Sequence, residues 1–374
     1  MIKLPPRIAV FMATSGHSGV DRAIQHLVPE FARRGYPVDL LKVRNHGPEL
    51  DETPHGVRVI DLGTNHVYTS LPAVVRYLRR EQPFVMLSDK DRVNRTALLA
   101  RSLARVPTRL VLSSGTTISI DLKNRGRFER WLQRTSMGRL YHLADKIIVT
   151  SKGVADDMSA YTGLARHLIE VVPSPVIAED VFINPLPCPD HPWLQDRKTP
   201  VILGTGALTF VKDFQTLVRA FAKVRNNRPC KLIILGKGKL HDRLLALAEE
   251  LGIKDDVSLP GFIHKPYGYM AHSSLFALTS RWEGLGFVLI EALAVGTPVV
   301  STDCRSGPRE ILQNGKYGSL VPVGDVDALA KAIINTLDHP LPREILQQAA
   351  RPYEIGVSTT AYLKAMGLDP EWDQ

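Results

Sequence analysis

The chain has 374 residues, of which 44% are hydrophobic and 23% charged. That is long enough for two domains with separate cores, and the composition excludes a disordered or fibrous protein. The net charge is +9, no apolar run is long enough to span a bilayer, and the start leads directly into a strand without a signal-peptide layout, so a cytoplasmic location is expected.

Residues 7–14 read as a buried strand. Ser15-Gly16-His17-Ser18-Gly19 follows, and then a helix to about residue 34, closed by Gly35. A strand, a glycine-containing loop and a helix start make an anion-binding corner, because free backbone N–H groups and the helix dipole point into the loop. The loop is neither a Walker sequence nor a full dinucleotide fingerprint. Strands are expected at 38–43, 57–62, 84–87, 109–113, 146–150 and 169–172. Helices are expected at 67–81, 92–105, 126–143 and 152–161. Such alternation implies a parallel sheet covered on both faces.

Within 123–139, Lys123, Arg125, Arg127, Arg130, Arg134 and Arg139 stand against the single acid Glu129, beside Phe128 and Trp131. A solvated helix face and an anionic membrane surface both fit this pattern. Nucleic acid is not expected, since no recognition motif accompanies the charge. Three widely spaced cysteines, Cys188, Cys230 and Cys304, suggest neither a disulfide framework nor a zinc cluster.

Seven prolines crowd residues 173–200. They forbid a continuous helix or central strand and mark an interdomain linker. The rhythm then restarts, with strands at 201–203, 232–235, 257–262, 275–278 and 299–301 and helices at 214–225, 240–251 and 325–337. The expected division is a first domain over 1–176, a linker over 177–199 and a second domain over 200–340. Residues 341–374 form a C-terminal helical segment that could cross back to the first domain. The fold class is α/β, two doubly wound Rossmann-like domains, with the interdomain cleft as the default ligand site.

The second domain carries the chemistry. The strand at 275–280 runs into a turn holding Glu283, Gly284 and Gly286, and a helix begins near Phe287. Glu291 is the only charge in the apolar run 287–295. A carboxylate there either pairs structurally or holds a polar ligand. Lys212 precedes a helix start, a poor place for a cation on dipole grounds, and an anionic ligand explains it. If 283–291 is helical, the two acids are separated by a rise of about 12 Å.

These pieces resemble the retaining nucleotide-sugar glycosyltransferases of the GT-B fold, family 4, also called glycosyl transferases group 1. The family's Glu-x7-Glu motif is present as Glu283 and Glu291, within Ser280-Arg-Trp-Glu-Gly-Leu-Gly-Phe-Val-Leu-Ile-Glu-Ala-Leu-Ala294. Lys212-Asp213-Phe214, Leu235-Gly-Lys-Gly238, Gly261-Phe262 and 303–312 match as well.

The resemblance implies that Glu283 contacts donor-sugar hydroxyls and Glu291 accepts from ribose hydroxyls. Backbone amides of Gly284, Leu285, Gly286 and Phe287 hold sugar and phosphate, and Gly206 lies in the first glycine loop of the same site. Lys212 neutralises the leaving diphosphate. Gly261, Phe262 and Ile263 frame the base, and Gly19 admits the phosphates. No metal or cofactor is implied.

The implied function is transfer of a sugar, most simply from a UDP-sugar, to a glycan or lipid-linked acceptor in surface polysaccharide synthesis. Lys123, Arg125, Arg127, Arg130 and Arg134 would then hold the enzyme on the inner membrane face. Two departures stand out: Ala207 replaces the family's arginine, and Ser113-Ser-Gly-Thr-Thr117 lacks a histidine that many members have. Lys237 and Arg281 are candidates to replace that arginine. A GT-B nucleotide-sugar epimerase and a non-catalytic nucleotide-sugar-binding member are the alternative readings.

Overall fold

The structure, a computed structural model, describes all residues except 1–4, 15–18, 51, 123–124, 197 and 370–374. The chain divides into two units. One comprises Met1–Val176 with Ile355–Gln374, the other Ile177–Glu354.

The first unit holds strands β1 (Ile8–Met12), β2 (Val38–Lys42), β3 (Val57–Asp61), β4 (Val85–Asp89), β5 (Arg109–Ser114), β6 (Lys146–Val149) and β7 (Ile169–Val171). They form one sheet in the order β3-β2-β1-β4-β5-β6-β7. All pairings are parallel, and Ile8 lies beside both Val38 and Val85. β1 and β4 are buried along their whole length, which is why they read as near-continuous apolar runs. Strand order reverses between β1 and β4. In a doubly wound sheet such a reversal opens a crevice at the carboxyl edge.

The second unit holds β8 (Val201–Thr205), β9 (Lys231–Leu235), β10 (Val257–Gly261), β11 (Leu275–Leu278), β12 (Val299–Thr302) and β13 (Ser319–Val321). Its order is β10-β9-β8-β11-β12-β13, again all parallel. Here the reversal lies between β8 and β11. β13 was not expected from the sequence, because a three-residue strand is too short to show a period.

The proline-rich stretch is not a free linker. Residues 177–199 belong to the second unit and carry two short helices, Asp180–Ile183 and Pro192–Asp196. His272 Nε2 donates to the Leu186 carbonyl at 3.0 Å, and His191 Nε2 lies 3.2 Å from Ser258 Oγ. Gly268 lies so close that a Cβ there would stand 2.6 Å from the Pro187 carbonyl oxygen. Proline removes N–H donors, and the Leu186 carbonyl and the His191 side chain are among the groups that fasten the stretch to the second unit.

Residues 341–374 also divide. The helix Arg343–Ala350 stays in the second unit, where Gln347 Nε2 donates to the Ala294 carbonyl at 2.9 Å. The helix Ile355–Met366 joins the first unit, with Leu363 and Met366 fully buried in its core. Arg34 fastens it by donating to Thr360 Oγ1 at 2.8 Å and to the Gly356 carbonyl at 2.6 Å.

One buried charge ties the edge of the first sheet together. Asp39 on β2 is fully buried. It accepts from Arg58 Nε and Nη2 at 2.7 Å each, from the Tyr77 hydroxyl at 2.7 Å and from Arg7 Nη1 at 3.0 Å. Burial alone would raise its pKa. The hydrogen bonds from Arg58 and Tyr77, with the charges of Arg7 and Arg58, outweigh burial and hold the carboxyl below the usual range. A folded-state pKa below the unfolded value adds stability above the unfolded pKa, and that stability is lost as pH falls through the folded one. Asp39→Asn is therefore expected to cost about 3 kcal/mol at pH 7. In urea unfolding the gap from wild type should shrink below about pH 4; a gap independent of pH would contradict the assignment.

Candidate functional site

The loop after β8 turns through Gly206 and ends in Asp213, the residue before the helix Phe214–Asn227. Asp213 takes a left-handed conformation, φ +48°, which sets the direction of the chain at Lys212. Thr279 Oγ1, just past β11, donates to the Lys212 carbonyl at 2.8 Å, and Arg281 N donates to the Val211 carbonyl at 2.8 Å. The loops after β8 and β11 are thus joined through their backbones at the point where strand order reverses.

Their side chains then meet. Lys212 Nζ donates to Glu283 Oε1 at 2.6 Å, and Ser280 Oγ donates to the same oxygen at 2.6 Å. Beside this pair, Arg281 Nη2 lies 2.8 Å from Asp213 Oδ2, and its guanidinium stacks 4.3 Å from the Phe210 ring centroid. Phe210 meets Trp282 edge to face at 6.3 Å. Arg281, one of the two candidates to replace the missing arginine, is therefore occupied by Asp213. Lys237, the other, is exposed in a loop whose carbonyl accepts from Leu208 N at 2.9 Å, next to Ala207.

Three glycine loops form the floor. Gly206 N donates to the Leu235 carbonyl at 2.9 Å, and Gly236 N donates to the Gly261 carbonyl at 2.8 Å. A Cβ on Gly236 would lie 1.9 Å from the Gly206 carbonyl oxygen, so only glycine fits. Gly261 has φ +99°, Phe262 after it is exposed, and Ile263 is half-buried.

The turn at Glu283 is backed by the loop after β12. Glu283 N donates to the Arg305 carbonyl at 3.4 Å, and Thr302 Oγ1 donates to the Ser280 carbonyl at 2.7 Å. Burial pushes the Cys304 thiol up to about 12, and the Glu283 charge adds to the shift, so the sulfur stays protonated. Gly284, Leu285 and Gly286 complete the turn, with Gly286 at φ +95°, and the helix Phe287–Ala294 follows. The path from Glu283 to Glu291 is therefore helical only from Phe287 onward, and the straight rise expected for 283–291 does not apply. Glu291 is 0% exposed.

The sequence pointed to Lys212 and Glu283 separately. It missed Ser280 and the Arg281–Asp213 pair. A cluster of polar residues closing an apolar strand, Thr279 to Glu283, was the signal available for them.

Elsewhere, Gly19 opens the helix Gly19–Arg33 of the first unit. In the basic segment, Lys123 lies outside the described residues. Arg125 pairs with Glu129 at 2.6 Å. In the helix Arg127–Leu140, Arg127 and Arg134 are exposed and Arg130 half-buried. Phe128 is 73% and Trp131 59% exposed, and their rings lie 5.9 Å apart. Positions 127, 128, 131 and 134 fall on one helix face. Among the described residues, no helix is long and apolar enough to cross a membrane.

Comparison with known proteins identifies the fold and the family. Residues 191–352 match the family described as Glycosyl transferases group 1, and residues 18–175 match the Glycosyl transferase 4-like domain. The chain is 30% identical over 358 residues to the N-acetylgalactosamine-N,N'-diacetylbacillosaminyl-diphospho-undecaprenol 4-alpha-N-acetylgalactosaminyltransferase of Campylobacter jejuni, covering 92% of this chain and 94% of that one. Among solved structures it is similar to the lipopolysaccharide outer core galactosyltransferase WaaB, with TM-score 0.74, 20% identity, and coverage of 96% of this chain and 99% of that one. HepE of Anabaena in complex with UDP gives TM-score 0.76 at 16% identity, with the same coverage. These structural likenesses establish the fold, and the Campylobacter relative and the family matches establish the kinship. The chain belongs to the group 1, or family 4, glycosyltransferases and has their GT-B fold.

Proposed function

We propose that this glycosyltransferase moves a sugar, with retention of anomeric configuration and without a divalent metal, from a UDP-sugar to a glycan or lipid-linked acceptor in surface polysaccharide synthesis. The observation that carries the reading is the Lys212–Glu283 pair at the reversal between β8 and β11. A half-buried cation and carboxylate sharing one site can each take a different part of a nucleotide sugar. Complexes of the similar HepE structure contain UDP and UDP-glucose, which supports the choice of donor. The name of the Campylobacter relative specifies an undecaprenol-diphosphate-linked acceptor, which supports the choice of acceptor class.

In this mechanism Lys212 turns from Glu283 to the diphosphate, and Glu283 accepts hydrogen bonds from donor-sugar hydroxyls. The bond between the sugar's anomeric carbon and the β-phosphate oxygen breaks, and UDP leaves with the electron pair. Lys212 and the N–H groups of Gly284–Phe287 stabilise the charge that grows on the phosphate without rearranging. The acceptor oxygen attacks from the same face, and its proton passes to the departing phosphate oxygen. Glu291 takes the ribose hydroxyls. The backbone of Gly261, Phe262 and Ile263 frames the base.

The exposed Phe128–Trp131 face, with Arg127, Arg130 and Arg134, suits an anionic bilayer surface. Aromatic rings enter the headgroup region while the guanidinium groups hold lipid phosphates, each charge worth about 1 kcal/mol there.

Turnover of UDP-sugar with the host's lipid extract should release UDP and give a product of unchanged anomeric configuration by NMR, at a rate that EDTA does not alter. Glu283→Gln should lower kcat about 100-fold or more with the fold intact. Lys212→Ala should weaken UDP binding about tenfold. Wild-type kinetics in Glu283→Gln would refute the assignment. For the surface, replacing Arg127, Arg130 and Arg134 by Glu should abolish co-sedimentation with phosphatidylglycerol vesicles at physiological salt. Equal sedimentation would return this helix to an ordinary solvated role.

A further inference from the structure

Two ion pairs, not one, bridge the loops after β8 and β11. Lys212 Nζ lies 2.6 Å from Glu283 Oε1, and Asp213 Oδ2 lies 2.8 Å from Arg281 Nη2. Their polarity is crossed. One loop supplies a cation and an anion at 212 and 213, and the other supplies a cation and an anion at 281 and 283. The function proposed above uses the first pair by breaking it, since Lys212 leaves Glu283 for phosphate. At that moment the second pair is the one that still spans the loops by charge.

Asp213 is placed for Arg281 at the expense of its local role. It stands immediately before the helix Phe214–Asn227, where an aspartate ordinarily accepts from a backbone N–H of the first turn. Its side chain makes no such bond. Its backbone has φ +48°, in the left-handed region that residues other than glycine enter at a cost. Its side chain is 7% exposed, and a buried carboxylate is unfavourable unless it is paired. The helix dipole would favour an acid here equally well on the surface. Pairing with Arg281 explains both the burial and the missing cap.

The two cations differ in how firmly they are held. Arg281 N donates to the Val211 carbonyl at 2.8 Å, and the guanidinium lies 4.3 Å from the Phe210 ring centroid. Phe210 is 61% exposed and meets Trp282 edge to face at 6.3 Å. So exposed a ring adds little to a core; over the guanidinium it keeps water from the Arg281–Asp213 pair and strengthens it. Lys212 has no such stack. Its stem runs along Gly206, where a Cβ would stand 3.3 Å from three of its carbons, and an ammonium on a flexible stem changes partners readily. One pair is built to open and the other to stay closed.

We infer that the Asp213–Arg281 pair, under Phe210, is a latch that holds the loops after β8 and β11 together while the Lys212–Glu283 pair is open. Asp213, Arg281 and Phe210 are positioning residues. They clamp the backbone directly behind Lys212 and Glu283, so that these two groups stay opposed when both turn to a ligand. The inference rests on the reading of Lys212–Glu283 as a pair that opens for a ligand, and not on which nucleotide sugar that ligand is.

Hydrogen exchange of the full chain, followed by mass spectrometry over peptides covering 206–213 and 279–286, tests the latch without any ligand. Lys212→Met imitates the open state, and Arg281→Met removes the latch. Asp213→Asn removes its charge with a residue that tolerates the left-handed backbone. Either pair alone should hold the loops, so each single variant should exchange within about threefold of wild type. The double variant Lys212→Met/Arg281→Met should exchange about tenfold faster in both loops. Lys212→Met/Arg281→Lys should exchange more slowly than that double variant, because the charge is kept. Unchanged exchange in β8, β9 and β11 separates loosened loops from loss of fold. In the turnover assay above, Arg281→Met should lower kcat about tenfold or more although its unbound loops stay protected; an ordinary structural contact would loosen the unbound loops as well. Arg281→Met loosening both loops as much as the double variant would overturn the inference, as would a double variant that exchanges like the single ones. Absence of turnover in wild type would count against the proposed donor and acceptor and leave the exchange result to decide the latch.

Discussion

The ion pair between Lys212 and Glu283 joins two loops that are 71 residues apart in the chain. Neither partner is freely solvated: their side chains are 22% and 11% exposed. Desolvating two charges costs several kcal/mol unless geometry and further hydrogen bonds offset it. Here Ser280 adds a second donor to the same carboxylate oxygen, and Thr279 holds the backbone behind Lys212. The neighbouring Arg281–Asp213 pair, capped by Phe210 and Trp282, shields one side. An arrangement so costly and so close to a strand-order reversal is better explained by exchange with a charged ligand than by its contribution to stability.

Backbone proximity is the constraint that makes this pair possible. The loops after β8, β9 and β10 touch through N–H to carbonyl bonds at Gly206 and Gly236. The loop after β12 presses Gly307 against Leu285, where a Cβ would stand 1.9 Å from the Leu285 carbonyl oxygen. Glycine at these points lets the loops approach through their backbones, and the space a side chain would take is left to backbone groups that can face phosphate. The fold of the second unit is thus bent toward one set of amides and one cation.

Much of this was legible in the sequence. The alternation of apolar runs and helical stretches gave both parallel sheets, because buried parallel strands have no polar face to obscure them. Glu291 and Lys212 stood out because each is a charge placed where burial or the helix dipole disfavours one, and Glu283 stood out through its Glu-x7-Glu spacing to Glu291. What escaped the sequence had specific causes. Residues 177–199 read as a linker because prolines silence the period on which such readings depend, yet their carbonyls bind His272 and pack on Gly268. The helix Ile355–Met366 was visible as a helix, but its seat against Arg34 is a contact across more than 300 residues. A cavity of the first unit was invisible because its walls come from loops and helices scattered between Ala13 and Tyr141.

The central claim is that Lys212 exchanges Glu283 for the diphosphate of a nucleotide. A crystal structure with UDP bound tests it most directly. The account predicts a phosphate oxygen about 3 Å from Lys212 Nζ, the distance of a charge-assisted hydrogen bond. UDP bound with its phosphates away from Lys212, and the Lys212–Glu283 pair unbroken, would contradict it.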